Sequence, residues 1–127
     1  MLGSNNMDYL TIEGFEQLSE QQVFDMALTH VRKTRQKSMR DGKCEYSGVG
    51  CAASVFIHPN LRVWADSNEH TGWHSLEQDD LVPPEHLDLV SSIQLAHDNA
   101  GDNFMADFNE KMKELASQFS LTYTPEN

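Results

Sequence analysis

The chain has 127 residues, 39% of them apolar and 23% charged, a composition that fits one globular domain and excludes a disordered segment. No apolar run approaches the ~20 residues needed to span a bilayer, and no basic stretch followed by an apolar one opens the chain as a secretory signal would, so a cytoplasmic protein is expected. The net charge of −11 is uneven: residues 1–65 carry seven acidic and seven basic side chains, whereas residues 66–127 carry thirteen acidic and two basic ones. The second half repels nucleic acid and anionic membrane and attracts a basic surface.

Residues 1–8 read as a flexible leader, with Met7 a second candidate start, followed by one domain over 9–123 and a tail over 124–127. Ser19 and Gln22 have the spacing of a capping box, and Leu18 and Val23 that of a hydrophobic staple. Phe24, Ala27, Leu28 and Val31 then follow at helical spacing. Six bases between Arg32 and Lys43 come at the C-terminal end of this first helix, where the helix dipole favours them, and Asp41-Gly42 is read as its stop.

Cys44-Glu45-Tyr46 and Cys51–Ile57, around a Ser47–Gly50 turn, predict a small β-hairpin, with a short buried helix as the alternative for 51–57. Two cysteines are too few for a disulfide scaffold and are expected as thiols or ligands. Leu61–Leu81 reads as a long polar loop anchored by Trp64 and Trp73.

A second helix is expected to open at Pro83-Pro84 and to stop at Gly101, with Leu89, Ile93, Ala96 and Ala100 in one stripe. Asp102 is the expected cap of a third, which carries Phe104, Met105, Phe108, Met112, Leu115, Ala116 and Phe119. The short link between them predicts a helical hairpin or a sharp corner. The fold class is therefore mainly α with a small β-hairpin (α+β), about three helices around one core. That core draws on Phe24, Leu28, Val31, Val55, Ile57, Leu89, Ile93, Phe104, Phe108, Met112, Leu115 and Phe119.

Cys44-Glu-Tyr46, Gly50-Cys51-Ala52, Val55-Phe-Ile57 and Gln94-Leu-Ala-His97-Asp98, in this order, resemble a group of small phage- and prophage-encoded proteins. The resemblance covers about residues 21–122. Ser54 stands where that group usually has Gly, and Ile93 replaces a Leu. The resemblance implies a phage accessory protein acting on a host process or defence, and it carries no enzymatic activity.

Two chemical readings stand beside it. His97-Asp98 is similar to the signature of HD phosphohydrolases, whose further ligands would come from His58, His70, His74 or His86 upstream and Asp102 or Asp107 downstream. Cys44 and Cys51, with His58 and His97 or Asp98, are the candidates for a zinc site, although their spacing is wider than that of a zinc knuckle. A Cys–His nucleophile matches no known motif, and Gly48-x-Gly50 is a turn rather than a phosphate loop. The basic cluster Arg32–Lys43 is a candidate phosphate contact, with a solvated helix end as the simpler reading.

The reading favoured is a non-enzymatic protein without cofactor or metal. Its partner is a bacterial host protein with a basic surface, met by Glu77, Asp79, Asp80, Glu85 and Asp88 in the manner of spaced phosphates. Membrane binding and direct nucleic-acid binding are not expected, and the third helix's apolar stripe leaves a homodimer open. The alternative is a small metal-binding protein or metal-dependent hydrolase using Cys44, Cys51, His97 and Asp98.

Overall fold

The fold, seen in a computed structural model that describes residues 9–67 and 72–126, is mainly helical with one small antiparallel hairpin. The expected leader 1–8 and His70 lie outside the described residues.

Helix α1 spans Glu20–Thr34 and opens with the capping box: the Ser19 hydroxyl accepts from the Gln22 N–H, and the Gln22 side chain accepts from the Ser19 N–H. Its apolar stripe, Val23, Phe24, Ala27, Leu28 and Val31, is buried. The helix ends earlier than expected, at Thr34, because Arg35 adopts a left-handed conformation.

Asp41-Gly42 is therefore not a helix stop. Both residues have positive φ, and they form the two-residue turn between β1 (Met39–Arg40) and β2 (Lys43–Cys44). An Asp-Gly pair suits such a turn, whose twist matches that of the flanking strands. The hairpin thus lies before Tyr46, and Cys51–Ile57 is not its second strand. Ser54–Phe56 forms a short 3-10 turn, closer to the helical alternative. Gly50 precedes it at φ 85°, and a Cβ there would collide with the Ser54 hydroxyl.

The stretch expected as a polar loop contains helices α2 (Arg62–Ser67) and α3 (Trp73–Gln78). Trp73 is fully buried, beside Phe15 and Phe56, whereas Trp64 is exposed and is not part of the core formed by the described residues. Helix α4 is Leu87–Asp98, starting after the two prolines, and α5 is Phe104–Gln118. The chain leaves α4 through Asn99 without a left-handed Gly101. Asn103, not Asp102, precedes α5; Asp107 reaches back instead, and its carboxylate accepts from the Gly101 N–H at 2.8 Å.

Helices α1, α4 and α5 pack on one core, with α3 against α4. Of the twelve expected core residues, Val55, Phe104 and Phe119 are half-buried against that core and the rest are buried. The N-terminal segment adds Leu10 and Phe15; Thr11 bridges Ile57, and the Leu10 N–H donates to the Leu81 carbonyl. Among the described residues no helix is long and apolar enough to cross a membrane.

Candidate functional site

The residues that carry the sequence motifs meet at one buried polar network. Gln94, on the inner face of α4, is 5% exposed and joins three separate segments. Its Oε1 accepts from the Trp73 N–H at 2.8 Å, satisfying a donor that the first turn of α3 cannot satisfy within the helix. Its Nε2 donates to the Tyr46 hydroxyl at 2.7 Å and to Cys44 Sγ at 3.4 Å. Burial pushes the Tyr46 phenol above its ordinary pKa, so it stays protonated.

One turn along α4, His97 is fully buried. Its Nε2 accepts from the Ser38 N–H at 3.1 Å, which leaves Nδ1 as the protonated nitrogen, and Nδ1 donates to Asp98 at 2.8 Å. Gln94 and His97 are three residues apart, so they face the same side of the helix and pin α3, the hairpin and the segment leading into it. Asp66 on α2 completes the clamp, accepting from the Tyr46 N–H at 2.6 Å and from the Ser47 N–H at 3.1 Å, and from the Ser47 hydroxyl.

Cys44 and Cys51 form a disulfide, with Cα atoms 6.0 Å apart, which corrects the expectation of two thiols or ligands. The physical reason is that the chain doubles back through Ser47–Gly50: the Cys51 N–H donates to the Glu45 carbonyl at 2.9 Å, and both cysteines are buried. The candidate metal residues are thus engaged elsewhere, the cysteines with each other and both His97 nitrogens with Ser38 and Asp98. Among the described residues no group of three or more His, Cys, Asp or Glu side chains is placed to hold a metal ion. His58 is exposed at the start of a short turn, its Nδ1 accepting from the Asn60 N–H.

The basic cluster is largely occupied within the chain. Arg32 donates to the Asn109 side chain, the Thr124 carbonyl and the Tyr123 hydroxyl, and lies over the Tyr123 ring. Arg35 pairs with Glu126, Lys37 donates to the Ala100 carbonyl at 2.8 Å, and Arg40 pairs with Glu45 at 2.6 Å. Thr124 and Glu126, expected in a tail, lie against α1. Arg35 and Asn109 hold the Glu126 carboxyl below the usual carboxylate range.

The five acidic candidates have the opposite character. Glu77, Asp79, Asp80, Glu85 and Asp88 follow the chain from the end of α3 to the first turn of α4. Asp79, Asp80, Glu85 and Asp88 are exposed and Glu77 is half-buried. Among the described residues none of the five has an ion-pair partner. Asp88 suits the positive end of α4, whereas Glu77, Asp79 and Asp80 sit at the C-terminal end of α3, the end that favours cations.

Asp80 breaks a second local rule. The Leu81 N–H donates to the Leu76 carbonyl and the Asp80 N–H to the Glu77 carbonyl, which is the Schellman closure of α3. Asp80 occupies its left-handed position, φ 60°, where glycine is the ordinary residue. The charge pattern was readable in the sequence; the strained position was not, since nothing but the fold reveals where α3 ends. Sequence reasoning also missed Asp66, Ser38 and the Trp73 N–H, whose roles arise only from tertiary contact.

Comparison with protein-family models, curated proteins and solved structures finds no match to the chain.

Proposed function

We propose that this chain is a small, non-enzymatic binding protein of the phage accessory type, which docks through the acidic connection between α3 and α4 on a basic surface of a bacterial host protein. The observation that carries the reading is the placement of Glu77, Asp79 and Asp80 at the end of α3, against the local preference of the helix and without a partner cation among the described residues. Groups kept at a cost to local stability are expected where function requires them. Spaced, exposed carboxylates present the charge that a nucleic-acid cleft recognises, so the partner class is a nucleic-acid-binding or defence enzyme. The host cytoplasm is the corresponding location.

The reading is tested by capture from a bacterial lysate with the wild-type chain and with Asp79→Lys/Asp80→Lys. A partner that is lost on charge reversal and displaced by added duplex DNA supports it. A partner held equally by both forms, or indifferent to DNA, sinks it. The metal-hydrolase alternative has no observation in its favour, because its four proposed residues are engaged in the disulfide and the His97 network.

A further inference from the structure

Away from the acidic connection, the outer seam between α4 and α5 forms a shallow groove of about 230 Å³. Ser92, Leu95, Ala96 and Asn99 line it from α4, and Lys111, Glu114, Leu115 and Gln118 from α5. Each set has the spacing i, i+3, i+4, i+7, so each is a continuous stripe on its helix. Ala96 and Leu115 form an apolar floor, whereas Leu95 stands 59% exposed beside it. The groove's two charged side chains, Lys111 and Glu114, are opposite in sign, and neither is ion-paired among the described residues.

We infer that this seam is the contact between two copies of the chain, related by a twofold axis. A twofold contact uses the same patch on both partners, so a residue meets a different residue of that patch and is met by it in return. The seam satisfies that condition in shape, with a protruding Leu95 next to a floor made of small and apolar side chains. It satisfies it in charge as well, since Lys111 of one copy can face Glu114 of the other. On a chain of net charge −11 this patch is neutral, so two copies meet there without local repulsion. A strongly acidic or basic partner would find no complementary charge excess in it. Helices α4 and α5 of the two copies would then close as a four-helix arrangement.

The experiment is analytical ultracentrifugation of the full chain at ~0.15 M and ~0.5 M salt, concentrations that shorten the screening length from about 8 Å to a few ångströms. The expected result is a monomer–dimer equilibrium whose dimer share rises with salt, as the overall repulsion of two acidic chains is screened. Leu95→Glu is expected to be monomeric at both salts, with an unchanged circular dichroism spectrum because the side chain is exposed. Lys111→Glu is expected to weaken the dimer by about tenfold or more, and Lys111→Glu/Glu114→Lys to restore it. A wild-type chain monomeric at both salts overturns the inference, as does a dimer that persists in Leu95→Glu or a charge swap that restores nothing.

Discussion

Gln94 and Tyr46 are joined across the core by a 2.7 Å hydrogen bond, and through it the second long helix, the disulfide-closed loop and the start of α3 are held as one unit. The bond is an energetic coupling between residues 48 positions apart, and it places the acidic end of α3 relative to α4.

That coupling is measurable. Tyr46→Phe removes the hydroxyl to which Gln94 donates and is expected to cost about 1 kcal/mol, whereas Gln94→Leu leaves the Trp73 N–H without its side-chain acceptor and is expected to cost about 1–3 kcal/mol. Denaturant unfolding of both single variants and the double variant should show an interaction energy of at least about 0.5 kcal/mol. Strict additivity would contradict the network.

His97 is expected to be a structural residue in the Nδ1–H form, since its Nε2 accepts from Ser38. Long-range nitrogen–proton NMR spectra of the ring identify the tautomer directly. Nε2–H as the resident form would contradict the assignment.

The pH dependence has two arms. Burial raises the folded-state pKa of Tyr46, so its contribution to stability is complete below the ordinary phenol value of 10.0 and is lost as the pH rises toward the folded value. Absorbance titration should show this phenol ionising only together with unfolding. The folded pKa of Glu126 is lowered by Arg35 and Asn109, so its contribution is present above the ordinary carboxyl value of 4.5 and is lost as the pH falls through the folded one. Release of residues 122–126 from α1 in that acid range, followed by amide NMR shifts, is the expected signature; tail resonances unchanged through acid would count against it.

The disulfide closes a loop with a sequence separation of 7, and removing it as Cys44→Ser/Cys51→Ser is expected to cost about 2–3 kcal/mol on the chain-entropy account. The core is otherwise complete, so the variant is expected to remain folded. Equal denaturation midpoints for this variant and the oxidised wild type would show that the bridge contributes nothing.

Asp80 and Ser120 occupy equivalent left-handed positions at the ends of α3 and α5. Glycine at either place is expected to stabilise the fold, by about 1 kcal/mol. Only Asp80→Gly should also weaken partner binding, because only Asp80 belongs to the acidic connection. Thermal melts paired with binding measurements separate the two effects; equal binding loss at both sites would point to flexibility rather than charge.

What the sequence made legible follows from the range of the interactions involved. The capping box at Ser19 and Gln22 and the stripes of α1, α4 and α5 are local patterns, and the fold has them as the spacing predicts. The Asp41-Gly42 signal is ambiguous in sequence because a turn pair marks both a helix stop and a hairpin; the left-handed Arg35, which actually ends α1, has no sequence mark. Helices α2 and α3 are six residues each, too short for a periodic pattern, and their stability comes from Ala65, Trp73 and Leu76 packing into the core. The cysteine pairing is not legible from a compartment argument, because it follows from the chain doubling back through Ser47–Gly50. The acidic residues of the candidate site were legible from composition, but their placement against the α3 dipole emerges only from the fold.

The most direct test of the docking surface is the salt dependence of the dissociation constant of the captured bacterial partner, measured for the wild-type chain and for Asp79→Lys/Asp80→Lys. The account predicts that wild-type binding weakens steadily as salt rises and that charge reversal abolishes binding at low salt. Equal dissociation constants for the two forms, or wild-type binding insensitive to salt, would contradict it.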